Sequence, residues 1–346
     1  MTQTPSKAIQ HDAGLDGLRG LAILLVVGQH YLPHGISFDP TGGRLGADVF
    51  FVLSGYLITR SLRPLAEAPR ESWRELLAVF YQRRFRRILP LFLITVLLAA
   101  LFRLEELRHL PWHLSFLSNW HFIREGRFSS PGGPLWFVAV IMQFYLIWPW
   151  VIRWAGWPRL KTVSLVLVAL GLLIRTIGGF FDWPKIALDI MTPGAFETFG
   201  AGALLAAWRN RKSIELFGLG GLGLIFLRQV FAGSLFGNGF SLMTTELSRA
   251  LILLWVTDRV LNERADGFQS FLSWRPLVEL GHRSFGIYLS HAYWLTAAFR
   301  YSEGNVSRIL AFSLTLVWAG VALQGTDTVF ETRCWRRQRA SKRPES

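Results

Sequence analysis

The sequence LDGLRGLAILLVVGQHYLPHG, residues 15–35, is an apolar run long enough to cross a bilayer. It carries Arg19 near its start and His30 near its far end. In a helix these two side chains share one face, about three turns and about 16 Å apart along the axis. Because a charged side chain that faces lipid is costly, we expect this face to line a protein interior or a wet cavity. The alternative is that Arg19 extends to the lipid headgroups and His30 packs among its neighbours.

The composition places the chain in a membrane. Of its 346 residues, 51% are hydrophobic and 15 are tryptophan, and the mean hydropathy is +0.32. The net charge of +14 comes from basic residues between apolar stretches, which is typical of cytoplasmic helix ends and argues against a nucleic-acid-binding protein. Because Cys334 is the single cysteine, the sequence excludes a disulfide framework and a cysteine-rich metal site, and we expect no metal.

The hydropathy pattern predicts an all-α integral membrane protein with about ten transmembrane helices. With both termini in the cytoplasm, most lysines and arginines fall on the inner side, as the positive-inside rule requires. The expected organisation is a cytoplasmic segment (1–14), a membrane domain (15–325) with an uncleaved first span, and a basic cytoplasmic tail (326–346). The chain is therefore expected to be a multi-pass protein of the inner (plasma) membrane. The ten windows are 15–34, 46–62, 88–102, 134–151, 163–181, 194–208, 214–232, 242–260, 276–299 and 307–325.

Two further stretches place polar groups within or beside apolar sequence. GADVFFVLSGYLITR, residues 46–60, buries Asp48, and its Ser-Gly-Tyr triplet at residues 54–56 predicts a polar break in the second span, in which the glycine permits close approach. YQRRFRRILPLF, residues 81–92, sets four arginines directly before Pro90. Arginine forks bind phosphate groups in a bidentate manner, so this cluster is a candidate phosphate or nucleotide site. The alternative is a cluster that serves only to orient the chain in the membrane. The predicted outer loop, residues 103–133, forms either an interfacial tryptophan belt or a substrate entrance.

Taken together, these motifs resemble the acyltransferase 3 family of membrane-bound O-acyltransferases. The first-helix pattern LDGLRGLAILLVVGQH (15–30), the second-helix pattern DVFFVLSGYL (48–57) and the arginine motif RRFRRILP (83–90) match family signatures, and so do PLWFVAVIMQFYLIWP (134–149) and SFGIYLSH (284–291), with Ser284, Tyr288 and His291 at matching positions. The resemblance implies about ten core helices. It also implies acyl-CoA, most often acetyl-CoA, as a cytoplasmic donor, and a hydroxyl, usually of a carbohydrate, as acceptor.

One position departs from the family pattern. Many relatives carry a glutamate pair just before the Gln-Phe-Tyr-Leu segment, where this chain has Ile141 and Met142. Asp48 and Glu197 are the acids that we expect to substitute for that pair. Glu197 lies in FETFGAGALLA, residues 196–206, where the alternative is a residue facing an outer vestibule.

The chemistry of thioester attack suggests roles for the polar residues of the motifs. His30 is the candidate general base that takes the proton of the acceptor hydroxyl, and Asp48 or Glu197 would hold its imidazole in the required tautomer. Tyr288 and Ser54 would donate hydrogen bonds to the developing oxyanion, unless they only pack helices together. The donor-binding set is Arg19, Ser54, Arg84 and Arg87. His34 lies near the outer interface and has no expected role, so it is the control residue for His30.

Two other classes of function stay open at this point. A transporter or flippase of a lipid-linked or phosphorylated sugar would also use buried arginines, acids and histidines, but the two matching halves with broken helices are not visible in the sequence. A non-catalytic scaffold leaves Arg19 and His30 unexplained. The sequence does not fix the acceptor, the acyl chain length or the oligomeric state. It also leaves open whether the acyl group passes directly to the acceptor or to a separate partner.

Overall fold

The computed structural model describes residues 13–32, 44–208, 210–231, 238–262, 267–300 and 304–320. Within these ranges the chain is helical and contains no strand, which confirms the all-α prediction. His34, Cys334 and most of both terminal segments lie outside the described residues. In chain order the helices are α1 (Ala13–Tyr31), α2 (Arg44–Ser61), α3 (Arg63–Glu67), α4 (Trp73–Leu101), α5 (Leu110–Leu114), α6 (Ser118–Glu125), α7 (Leu135–Ala155), α8 (Leu160–Phe180), α9 (Lys185–Ile190), α10 (Phe196–Ala207), α11 (Arg211–Phe231), α12 (Asn238–Leu261), α13 (Gly267–Leu272) and α14 (Arg275–Phe299). A further helix, α15, occupies residues 304–320.

Two helical segments of the described chain are long and apolar enough to cross a membrane, Leu135–Ala155 and Trp157–Phe180. The ten-span topology and the cytoplasmic termini therefore stay predictions. The arginine motif lies inside a long helix, because α4 begins at Trp73 and runs unbroken through Pro90. The four arginines thus project from the first half of a helix of 29 residues. The apolar second half packs against the protein core and holds the helix together despite the missing proline N–H.

Glycine allows α1 and α14 to pack at backbone distance. A Cβ atom at Gly281 would lie 1.8 Å from the carbonyl oxygen of Asp16, and one at Gly20 would lie 2.0 Å from that of Leu277. Only a residue without a side chain fits at these two positions, as in other tightly packed membrane helix pairs. The close approach brings the polar faces of α1 and α14 side by side.

The second span does not break at its Ser-Gly-Tyr triplet, and that expectation is wrong. Helix α2 is continuous from Arg44 to Ser61. The close approach expected at Gly55 is present, because a Cβ atom there would lie 2.3 Å from the carbonyl oxygen of Phe199 on α10. The triplet therefore marks a helix contact.

Candidate functional site

A cavity of about 110 Å³ opens among α1, α2, α4, α7 and α14. Five of the eight site residues proposed from the sequence line it, and these are Arg19, Ser54, Arg84, Arg87 and Tyr288. They come from four helices that are far apart in the sequence. The remaining lining is apolar or aromatic, apart from Ser284 on α14, and is formed by Phe50, Leu53, Leu57, Ile58, Ile88, Phe137, Ile141, Tyr145 and Phe285.

The cationic side of the cavity is only partly neutralised by protein groups. Arg19 forms an ion pair with Asp16, one turn earlier on α1, and Asp16 also lies 3.1 Å from Nε2 of His282. Arg84 lies over the ring of Tyr145 at 5.8 Å, and its guanidinium reaches the Ser61 hydroxyl at 3.5 Å. In the described part of the chain no carboxylate pairs with Arg84 or with its neighbour Arg87. Two guanidinium groups at a cavity mouth without acidic partners suit an anionic ligand.

The wall of the cavity that α14 forms carries two hydroxyl groups and no acid. Ser284 and Tyr288 lie four residues apart on one face of α14. The Tyr288 hydroxyl donates a hydrogen bond to the carbonyl oxygen of Pro134 at 3.0 Å. Ile141 lines the cavity and Met142 is buried, so apolar side chains occupy the positions where many relatives carry glutamates.

His30 lies beside a second histidine at the far end of α1. Its ring centroid is 5.1 Å from that of His291, and the Tyr288 ring is 5.6 Å from His291 on the other side. His291 is fully buried, and its Nδ1 donates a hydrogen bond to the Tyr288 carbonyl at 2.7 Å. Its Nε2 has no hydrogen-bond partner in the described structure. Tyr288, which lines the cavity, is thus a neighbour of His291, and His291 is a neighbour of His30.

The two acids proposed as partners of His30 belong to a different part of the protein. Asp48 is fully buried, with Oδ1 2.9 Å from Nε of Arg44 and Oδ2 3.1 Å from Nη1 of Arg249. Glu197 is also fully buried and lies 2.9 Å from Nε of Arg175. Within the described residues no hydrogen bond or ion pair joins either carboxylate to His30. Both acids therefore lie among arginines, and the geometry does not support the assignment of either one as the group that orients the imidazole.

These ion pairs form one network of six charged side chains between α2, α8, α10 and α12, of which five are buried and Arg249 is partly buried. Arg175 also lies 3.7 Å from Glu246, which forms an ion pair with Arg249. Three positive and three negative side chains balance each other, which satisfies the requirement that buried charges be paired. The network consists of Arg44, Asp48, Arg175, Glu197, Glu246 and Arg249.

A second polar cluster, the Glu105 cluster, joins the loop after α4 to α14. The Glu105 carboxylate accepts hydrogen bonds from His109 Nδ1 at 2.8 Å, from the Tyr293 hydroxyl at 3.0 Å and from the Gly132 backbone N–H at 3.0 Å. His113 Nε2 lies 3.5 Å from the same group. Burial alone would raise the pKa of this carboxyl, but its interactions with His113, His109 and Tyr293 outweigh burial and lower the pKa to about 2. The part of the predicted outer loop around Glu105 is therefore held in place by hydrogen bonds, and its role as an interfacial belt or a substrate entrance stays a prediction.

The structure brings out two groups that had no predicted role. His291 was visible as the last residue of SFGIYLSH, but its spacing carries no sign of its contact with His30. For the Glu105 cluster, the only signal in the sequence was the histidines of the predicted outer loop. No group of three or more His, Cys, Asp or Glu side chains suited to a metal ion lies in the described part of the chain.

Comparison with known proteins gives a consistent family relationship. The family described as Acyltransferase domain matches residues 12–323. The peptidoglycan O-acetyltransferase OatA of Listeria monocytogenes is 29% identical over 84% of this chain and 50% of its own length. The O-acetyltransferase OatA of Staphylococcus aureus is 30% identical over 80% of this chain and 49% of its own length.

The chain thus spans about half the length of the curated relatives that it matches. No solved structure matches it. The matched region contains all five sequence motifs and every described residue that lines the cavity. On the extent of this match, the chain belongs to the acyltransferase 3 family.

Proposed function

We propose that this protein is a membrane-bound O-acetyltransferase that moves an acetyl group from cytoplasmic acetyl-CoA to a hydroxyl of a cell-envelope glycan. The observation that carries the proposal is the cavity in which Arg19, Arg84 and Arg87 meet the hydroxyls of Ser54 and Tyr288. The names of the two OatA relatives support the acetyl group, and the Listeria name supports peptidoglycan as the class of acceptor.

The arginines supply the donor site in this proposal. Coenzyme A is a polyanion at its nucleotide end, and Arg84 and Arg87 offer two guanidinium forks without carboxylate partners in the described structure. The apolar walls around Ile88 and Phe137 suit the uncharged arm that carries the thioester. The donor therefore enters with its phosphates at the arginines and its acetyl group toward Tyr288.

The reaction needs a base and a stabiliser of negative charge. His30 takes the proton of the acceptor hydroxyl while the hydroxyl oxygen attacks the thioester carbon. The tetrahedral intermediate collapses to the new ester, the carbon–sulfur bond breaks, and the CoA thiolate leaves. The Tyr288 hydroxyl, which donates to Pro134 in this structure, and the Ser54 hydroxyl are the cavity groups that can turn toward the oxyanion.

The remaining parts of the proposal concern place and partners. The chain lies in the inner (plasma) membrane as a multi-pass protein with both termini in the cytoplasm, which puts Arg84 and Arg87 on the donor side. The matched relatives are about twice as long as the region that they share with this chain, so hand-off of the acetyl group to a separate acceptor protein is the second route. Both routes use the same donor cavity.

The test is release of free CoA by the purified protein in nanodiscs supplied with acetyl-CoA, with and without a glycan acceptor. We expect glycan-dependent CoA release and an acetyl ester on the glycan, detected by mass spectrometry. Absence of donor turnover and of acetyl-CoA binding would contradict the proposal. Movement of a sugar phosphate across the bilayer without CoA release would favour the transporter alternative.

A further inference from the structure

Ser284 on α14 lines the donor cavity, and the proposed reaction gives it no role. Its side chain is 6% exposed, so the hydroxyl is shielded from bulk water. A serine inside a helix commonly donates to the carbonyl one turn earlier, as Ser290 does to Gly286 at 2.9 Å. The Ser284 hydroxyl has no hydrogen-bond partner among the described residues, and its oxygen is not fully enclosed by protein atoms. A buried hydroxyl without a partner therefore borders the cavity.

The positions along α1 and α14 show how deep this hydroxyl lies. The two helices run in the same direction, since their backbones touch near their first residues and His30 contacts His291 farther along. Arg19 precedes His30 by eleven residues, or about 16 Å along the axis. Ser284 precedes His291 by seven residues, or about 10 Å. Along the helices, Ser284 thus lies between the level of the Arg19 backbone and the level of the two histidines.

The arm of coenzyme A that carries the thioester has polar groups at similar intervals. With bonds of about 1.5 Å in an extended arm, its two amide carbonyl carbons lie about 6 Å and about 11 Å from the thioester carbon, and the first phosphorus lies about 17 Å away. If the thioester is at the level of His30, the farther amide is at the level of Ser284 and the phosphates are at the level of Arg19. An amide carbonyl accepts a hydrogen bond from a serine hydroxyl.

We propose that Ser284 donates a hydrogen bond to the amide carbonyl of the donor's pantetheine arm that is nearer the phosphates. The inference rests on the proposed function and adds a residue that determines which donors are accepted. The arginines hold the phosphates and Ser284 holds the arm, so the donor is fixed at two points and its thioester is placed at the depth of His30. A donor that lacks this amide loses the second point.

The test compares three acetyl donors with the purified protein in nanodiscs. Acetyl-CoA has the nucleotide and both amides, S-acetylpantetheine has both amides without the nucleotide, and S-acetyl-N-acetylcysteamine has only the amide nearer the thioester. We expect Ser284→Ala to raise the KM for acetyl-CoA and for S-acetylpantetheine about fivefold, the effect of one net hydrogen bond, and to leave the KM for S-acetyl-N-acetylcysteamine unchanged. Ser284→Thr keeps the hydroxyl and should keep the wild-type KM values.

Two further variants are matched controls. Ser290→Ala removes a hydroxyl from the same helix that is already bonded within the helix, so it should change none of the three KM values. Arg84→Lys acts on phosphate binding, so it should raise the KM for acetyl-CoA and leave the KM for S-acetylpantetheine unchanged. The two sets of variants thus separate binding of the arm from binding of the nucleotide.

Two results would overturn the assignment of Ser284. One is an unchanged KM for all three donors in Ser284→Ala, which would leave this serine a packing residue. The other is an equal rise for all three donors, which would place the hydroxyl at the thioester or at the nearer amide. If the wild-type protein binds CoA and transfers no acetyl group, the proposed function fails, and calorimetric titration of wild type and Ser284→Ala with CoA and with pantetheine still tests the arm contact. Absence of CoA binding to wild type would overturn both.

Discussion

Replacement of Asp48 by asparagine separates a structural role of this residue from a catalytic one. The substitution keeps the size of the side chain and removes its charge. In the structure each carboxylate oxygen faces one guanidinium, that of Arg44 at 2.9 Å and that of Arg249 at 3.1 Å. Because Asp48 is fully buried, no water replaces the lost charge. The balanced network of six charges would then hold three positive and two negative side chains.

The expected effect is a loss of about 3 kcal/mol in the free energy of unfolding. Removal of one partner from a buried ion pair costs about 3 to 5 kcal/mol, since the other charge stays buried without compensation. The lower end applies here, because the asparagine carbonyl still accepts one hydrogen bond and Arg249 retains Glu246. The activity per folded molecule should stay within about threefold of wild type, far from the 10²-fold loss expected for a group that supports a catalytic base.

The assay is unfolding in mixed micelles, followed by helix content, together with CoA release per folded molecule. A second variant, Asp48→Asn with Arg249→Gln, restores the charge balance and should recover at least half of the lost free energy, as a double-mutant cycle between contacting residues reveals. A purely structural role of Asp48 is excluded if Asp48→Asn keeps wild-type stability and loses activity by a factor of about 100 or more. That result would return Asp48 to the role that the sequence suggested.

Three other predictions concern the base, the donor site and the Glu105 cluster. His30→Ala should reduce acetyl transfer by at least about 10²-fold with normal membrane insertion, and turnover above about a tenth of wild type would remove His30 as the base. Arg84→Lys keeps the charge and loses the fork, so the KM for acetyl-CoA should rise with little change in kcat, whereas wild-type donor affinity would indicate a role in membrane orientation only. Because the Glu105 pKa is lowered to about 2, its carboxylate stabilises the loop above the ordinary carboxyl pKa, and that stabilisation is lost as the pH falls from about 4.5 toward 2. The hydrogen-exchange protection factors of residues 103–133, which correct for the pH dependence of the intrinsic exchange rate, should therefore be unchanged between pH 7 and 5 and fall below about pH 4, and an earlier onset would contradict the assignment.

Local spacing in the sequence predicted much of the cavity. Arg19 lies on a helix face that the eleven-residue spacing to His30 defines, and Arg84 and Arg87 lie one turn apart. Such short spacings determine which side chains share a face once the segment is helical. The helical class followed from the hydropathy pattern, and the grouping of these residues into one donor site followed from the family resemblance.

The partners of the buried side chains could not be predicted in the same way. Asp48 pairs with Arg249, about 200 residues later, and His30 contacts His291 from a helix equally remote in sequence. Residue spacing carries no information about such pairs, because they depend on how whole helices pack. The break expected in the second span is absent for a related reason. Gly55 allows α10 to approach closely and does not bend α2.

The contrast between the two groups of arginines gives the strongest physical argument for a ligand in the donor cavity. In the buried network, every arginine has at least one carboxylate within ion-pairing distance, so those charges stabilise the fold without further help. Arg84 is half-buried between aromatic rings, and neither it nor Arg87 has a carboxylate partner in the described part of the chain. Because Arg84 is partly buried, its charge is desolvated without a carboxylate that compensates, whereas Arg87 is exposed and stays hydrated. Their persistence beside a cavity is explained when a polyanion completes the site, which is the chemistry that the phosphates of coenzyme A supply.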